Sequence, residues 1–180
     1  MENEMCNYSW RITKYNPANR INGVYTKQEW TSIGDIGKLY SNGEFLIEHY
    51  LHTEALYIMA IISIMKEMKI NSLQVTSLEK YDFGYLDDRV HFIYSGEMKE
   101  LYSNIKNGDF ISGNELELLC KLTLREKLWC KLQSSSVFVH FGFDYYMYIG
   151  SKLECSDSLE LISNSGLFIE PFQSPYLEEE

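Results

Sequence analysis

Residues 137–150, VFVHFGFDYYMYIG, are the stretch whose reading decides the fold. At period two, Val137, Val139, Phe141, Phe143, Tyr145, Met147 and Ile149 fall on one face. Phe138, His140, Gly142, Asp144, Tyr146 and Tyr148 fall on the other. That is the alternation of a half-buried strand, with an apolar face inward and a wetter face outward. Gly142 and Asp144 are turn or bulge formers, so the run is either one strand or two strands joined by a tight turn around Gly142-Phe143-Asp144. In the second case a one-residue slip exchanges the faces beyond Gly142.

Working outward, residues 124–132 alternate in the same way. Leu124, Glu126, Leu128, Cys130 and Leu132 oppose Arg125, Lys127, Trp129 and Lys131. A loop at residues 133–136 turns this strand back on residues 137–141 as a hairpin. Its outer face would present Trp129, His140, Tyr146 and Tyr148 unless another element covers it. Downstream, residues 157–162 read as a short helix and 167–172 as an edge strand ended by Pro171 and Pro175. Upstream, Ser112 or Asn114 caps a short helix, residues 97–105 form another, and residues 72–78 form a strand. Ser41 and Glu44 have capping-box spacing and open the longest helical pattern, to about Lys69. Its second half, residues 55–65, is apolar nearly all round, the mark of a helix buried on more than one side. Thr26 and Glu29 repeat the capping-box spacing, Asn22-Gly23 signals a hairpin, and residues 8–15 read as a first strand with Trp10 and Ile12 on one side. Strands clustered late and one long helix early predict an α+β fold: a largely antiparallel sheet packed on one long central helix, with shorter helices. The 180 residues suit a single globular domain with a short acidic C-terminal tail at about residues 174–180.

The net charge is −10, which repels phosphate backbones and argues against nucleic acid as a direct ligand. A basic protein is the natural charged partner. The last thirty residues hold one base, Lys152, against seven carboxylates, a local net of −6. Fourteen tyrosines supply apolar area with a polar handle, suited to a wet sheet face or a binding surface. Cys6, Cys120, Cys130 and Cys155 have no zinc or disulfide spacing. The polar opening residues and the longest apolar run of eleven residues predict neither signal peptide nor membrane span, which makes the cytoplasm the expected compartment.

Chemistry-bearing motifs are sparse. His49-x-x-His52 beside Glu48 has helical spacing but no evident third ligand, so no metal and no cofactor are expected. Asp82, Asp87 and Asp88 lack the ligand spacing of a calcium loop. His140 and Asp144 would suit a base and its orienter, yet no serine or cysteine is placed to serve them. Gly34-x-x-Gly37 lacks the lysine of a phosphate loop. What remains is a surface: exposed Trp and Tyr anchor protein interfaces. Asp87, Asp88, Trp129, His140, Asp144, Tyr146 and Tyr148 are therefore the candidate partner-binding residues.

Three blocks carry a family likeness: Trp10-Arg-Ile-Thr-Lys-Tyr-Asn-Pro17, Glu29-Trp-Thr-Ser-Ile-Gly-Asp-Ile-Gly37, and Trp129-Cys-Lys-Leu132 with residues 139–150. They resemble a family of small bacterial proteins encoded beside secreted polymorphic toxins and treated as candidate immunity proteins. The resemblance implies a cytoplasmic binder that neutralises a toxin domain, and it brings no catalytic residue with it. Many such toxins are basic nucleases, to which an acidic partner is electrostatically suited. The competing expectation is a small enzyme or small-molecule-binding domain with an aromatic pocket on the sheet face.

Overall fold

In the computed structural model, residues 6–84 and 86–177 are described. The strands and helices run β1 (Tyr8–Thr13), β2 (Arg20–Ile21), β3 (Val24–Tyr25), β4 (Leu39–Tyr40), β5 (Gly43–Glu44), α1 (Ile47–Glu67), β6 (Leu73–Lys80), α2 (Gly96–Asn104), β7 (Phe110–Ile111), α3 (Gly113–Leu124), β8 (Leu128–Gln133), β9 (Val137–Phe141), β10 (Met147–Ser151), α4 (Ser156–Asn164) and β11 (Phe168–Pro171). Seven strands form one antiparallel sheet in the order β11-β1-β10-β9-β8-β6-β7. The fold is α+β.

The deciding stretch is two strands. Five residues separate Phe141 from Met147, and Val139 pairs with Ile149 and His140 with Tyr148. The loop keeps the parity, so the expected core face survives the turn. Val137, Val139, Phe141, Met147 and Ile149 are all buried. Phe143 departs from that face and stands 86% exposed, because a short 3-10 turn at Phe143–Tyr145 replaces strand geometry there. Gly150 lacks a Cβ for a reason: the ring of Phe138 would lie 1.9 Å from it.

The outer face is not wet. Residues 172–177 cross it, so His140 and Tyr148 are buried and Trp129 is half-buried. The expected tail thus begins as a docked segment; residues 178–180 lie outside the described residues. On the core face α1 packs against α3 and α4, with Tyr50, Tyr57, Ile61 and Ile64 essentially inaccessible. Each such side chain stabilises the fold by roughly 1.5–3 kcal/mol. Within the apolar run Ala55 and Ile62 reach solvent, so the helix keeps a narrow exposed stripe.

Local signals explain the other differences. Asn22 and Gly23 both take positive φ, 52° and 80°, giving the hairpin of β2 and β3. Ser41 to Glu44 do not start α1; Ser41-Asn42 reverses the chain between β4 and β5. The helix starts instead at Ile47, where His49 Nδ1 accepts from the Leu46 N–H at 3.3 Å. Thr26 and Glu29 also cap nothing: Thr26 Oγ1 donates to the Asn19 carbonyl, and Glu29 accepts from the Tyr25 hydroxyl. Residues 124–127 are not strand, since α3 runs to Leu124 and Glu126 turns at φ 58°. Arg125 therefore points inward rather than onto the outer face.

Candidate partner-binding surface

Antiparallel pairing brings five connections to one end of the sheet. The chain leaves β1 after Thr13 beside Met147, the partner of Ile12. β6 ends at Lys80 opposite Leu128, where β8 begins, and residues 142–146 join β9 to β10 at the same level. Residues 14–46, 81–84, 86–95, 125–127, 142–146 and, leading into β11 opposite Thr13, 165–167 therefore share this end.

Hydrogen bonds fix these loops to one another. The Tyr15 hydroxyl donates to the Asp144 carbonyl at 2.6 Å, and the Tyr57 hydroxyl donates to the Tyr145 carbonyl at 2.7 Å. The Lys14 N–H in turn donates to the Tyr57 oxygen at 2.8 Å. Trp30 stacks on Phe45 with ring centres 4.5 Å apart and meets Tyr145 edge-on at 5.0 Å. The three resembling blocks thus converge through Tyr15, Trp30 and Tyr145.

Large apolar side chains reach solvent from this scaffold. Ile21 and Val24 at the first hairpin are 65% and 67% exposed, and Leu39 on the second is 82% exposed. The second hairpin borders a cleft of about 710 Å³, whose walls include Glu29, Trp30, Leu39, Phe45 and His49. A smaller cavity of about 230 Å³ lies between Ile33, Ile36, Asp87, Arg89, Tyr94 and Glu126. Carboxylates ring the same end. Desolvation, with the Asp35 and Asp144 carboxylates adding to it, raises the pKa of Glu126.

The seven expected binding residues separate into two groups. Asp87, Asp88 and Asp144 lie on the loop-bearing end. Asp88 and Asp144 are exposed, while Asp87 is clasped by Arg89, whose Nη2 lies 2.5 Å from its Oδ2. These hydrogen bonds lower the Asp87 pKa to about 2, and Arg89 Nη1 ties the pair to the Ile36 carbonyl at 2.5 Å. Trp129, His140, Tyr146 and Tyr148 belong to the outer sheet face. His140 Nδ1 lies 2.8 Å from Ser174 Oγ, and the Tyr176 ring sits about 6 Å from those of Trp129 and Tyr148. Trp129 Nε1 donates to the Phe141 carbonyl. With residues 172–177 in place, His140 and Tyr148 present almost no surface to a partner. Tyr146 is half-buried, stacked on Tyr15, with the Arg11 and Arg20 guanidinium groups 5.6 and 5.9 Å from its ring centre. His140 and Asp144 do not form a base and orienter: one is buried under the C-terminal segment and the other is exposed in the loop.

Two charged features escaped the sequence reading. Arg125 and Glu54 form a bidentate pair inside the core, both oxygens 2.6 Å from guanidinium nitrogens and both side chains 3% exposed. The third guanidinium nitrogen, Nη1, donates to the Ile93 carbonyl at 2.7 Å. Glu54 falls four residues from Tyr50 and from Ile58 on the buried stripe of α1, and that spacing was the available signal. Lys14 is the second: its amine lies 3.9 Å from the Tyr15 ring centre, 4.2 Å from that of Trp30 and 3.4 Å from Glu29. Burial lowers its pKa to about 8 against the pull of Glu29.

Among the described residues no group of three His, Cys, Asp or Glu side chains is disposed to hold a metal ion, and no helix is long and apolar enough to cross a membrane. Comparison with family models, curated proteins and solved structures finds no match to the chain.

Proposed function

We propose that this chain is a cytoplasmic binding protein of the immunity type, which neutralises a basic toxin domain by direct contact and without turnover. The observation that carries this reading is the loop-bearing end of the sheet. There Ile21, Val24, Leu39 and Phe143 stand in solvent at the same end as the exposed Asp88, Glu126 and Asp144, in a chain of net charge −10. Exposed carboxylates outnumber the exposed bases Lys27, Lys38 and Arg89 around these apolar groups, which suits an encounter steered by electrostatics and sealed by desolvated contact. The toxin as partner comes from the family resemblance.

The test is co-expression with the product of the neighbouring toxin gene, followed by titration of the purified pair. Rescue of growth together with a stoichiometric complex is the expected result; neither rescue nor complex defeats the reading. A second reading has its own support. The cleft of about 710 Å³ has the size of a small-molecule site and an aromatic wall at Trp30 and Phe45. On that reading the ligand sits between residues 26–30 and the β4–β5 hairpin, since residues 172–177 cover the aromatic sheet face. Native mass spectrometry of the purified protein separates the two, because a retained small molecule adds a discrete mass.

A further inference from the structure

The loop joining β9 to β10 spends backbone strain to display a phenylalanine. Asp144 and Tyr145 both take left-handed φ, 54° and 65°. Asp tolerates that region through its short polar side chain, but for a bulky aromatic residue it is an outlier. Such conformations cost on the order of 1–3 kcal/mol each and persist where surrounding contacts enforce them.

Those contacts are present. The Asp144 carbonyl accepts from Tyr15, the Tyr145 carbonyl accepts from Tyr57, and the Tyr145 ring is buried among Trp30, Tyr50 and Tyr57. Across the loop the Gly142 N–H donates to the Tyr146 carbonyl at 2.7 Å. The turn is thus pinned on both sides of Phe143, whose own side chain is 86% exposed and packs on no core group. A phenylalanine so placed contributes nearly nothing to the monomer's hydrophobic stabilisation.

We infer that Phe143 is the anchor of the binding surface, held out on a preorganised loop to enter an apolar pocket on a basic partner protein; the inference deepens the proposed binding function and rests on it. Aromatic side chains dominate interface energetics when they fill desolvated pockets. Fixing the loop before binding removes an ordering cost that a mobile segment would incur.

Charge selects the occupant. Asp144 follows the anchor directly, and it and Glu126 are exposed at this end of the sheet in a chain of net charge −10. A partner that brings Lys or Arg around its pocket complements these carboxylates. A second copy of the chain does the reverse, since a two-fold contact through Phe143 sets Asp144 near its own counterpart.

The experiment uses the full chain, with the purified toxin-domain product of the neighbouring gene as probe. Phe110 is the control: it is 70% exposed on β7, at the opposite end of the sheet, where β7 pairs with Leu73 and Gln74. Phe143→Ala is expected to weaken binding by at least about 30-fold, the mark of an anchor residue. Phe110→Ala is expected to bind as the unmodified chain does, and both variants to keep its urea midpoint. Equal affinity of the two alanine variants overturns the anchor and leaves the toxin reading standing. If the unmodified chain does not bind the probe, the toxin reading fails and a second measurement decides the anchor. Photoreactive benzoylphenylalanine is then placed at 143 or at 110 in the producing cell. A basic protein trapped only from 143, which in purified form binds the unmodified chain and not Phe143→Ala, upholds the anchor. No adduct from 143 beyond those from 110 overturns it.

Discussion

Lys14 carries a charge that the fold holds at a cost. Its amine is folded between Tyr15 and Trp30 with 9% of the side chain exposed, and Glu29 only partly offsets the lost hydration. The folded pKa of about 8 lies below the ordinary value of 10.5. The unfolded chain therefore binds more protons than the folded one between those values. Stability gains from this group as pH rises through that window, and the cost is complete below about 8. Lys14→Met is expected to be more stable at neutral pH, by about 1–3 kcal/mol, and to lose the alkaline gain. Urea midpoints of both chains from pH 7 to 10.5 check this, and parallel curves refute it. His140 works at the acid end. Burial, with Lys131 assisting, lowers its pKa from 6.5 to about 4. It lies under Ser174 and Tyr176 and beside Tyr148 and Phe138. Here too the unfolded chain binds the extra proton, so the stabilisation is whole above about 6.5 and is lost as pH falls toward 4. His140→Gln is expected to shed on the order of 2–3 kcal/mol of that acid sensitivity, read as the difference between the two stability–pH profiles.

At the scale of elements, the ion pair between α1 and Arg125, just past α3, separates two ways of losing a charge. Glu54→Ala leaves the Arg125 guanidinium buried without its carboxylate and is expected to cost about 3–5 kcal/mol. The double change Glu54→Leu with Arg125→Met removes both charges and is expected to recover most of that loss; a double variant as unstable as the single one contradicts the account. The same pair marks the limit of what the sequence made legible. Period-two alternation placed β1, β8, β9 and β10 and their core faces, because one side of each strand is uniformly apolar. Asn22-Gly23 announced its hairpin through backbone sterics. Where two local signals compete, pattern alone misleads. Ser41 and Glu44 satisfy capping-box spacing, yet the chain reverses between them. Residues 124–127 alternate like a strand, but the helix ends there and turns Arg125 into the core. Of the candidate surface, the three aspartates were readable as charged loop residues. The covering of His140 and Tyr148 was not, since contacts more than thirty residues apart in sequence, such as His140 with Ser174, leave no local period. Ile58 and Ile62 were indistinguishable for a similar reason: the first is 5% exposed and the second 38%. Ile58→Asp is expected to unfold the domain, whereas Ile62→Asp is expected to remain folded in urea titration.

For the whole molecule, charge acts at a distance that contacts do not reach. A net charge of −10 sets a field that, on the proposed function, would draw a basic partner in, and the field is screened beyond a Debye length of about 8 Å at physiological ionic strength. The contacts proposed for Phe143 would be short-ranged and feel salt far less. The two parts of the surface therefore separate kinetically: the association rate should fall with salt while the dissociation rate stays nearly constant. The position of each carboxylate also matters. Asp87 is already matched by Arg89, and its charge is largely spent within the clasp. Asp88 and Asp144 have no ion pair among the described residues and project their charge outward. Asp88→Asn and Asp144→Asn are therefore expected to slow association with the toxin probe at low salt, and Asp87→Asn to do so less. All three effects should shrink toward zero at about 1 M salt, where the screening length is roughly 3 Å. Stopped-flow association at two salt concentrations measures this, and an association rate that ignores both salt and the two exposed aspartates contradicts electrostatic steering at this end of the sheet.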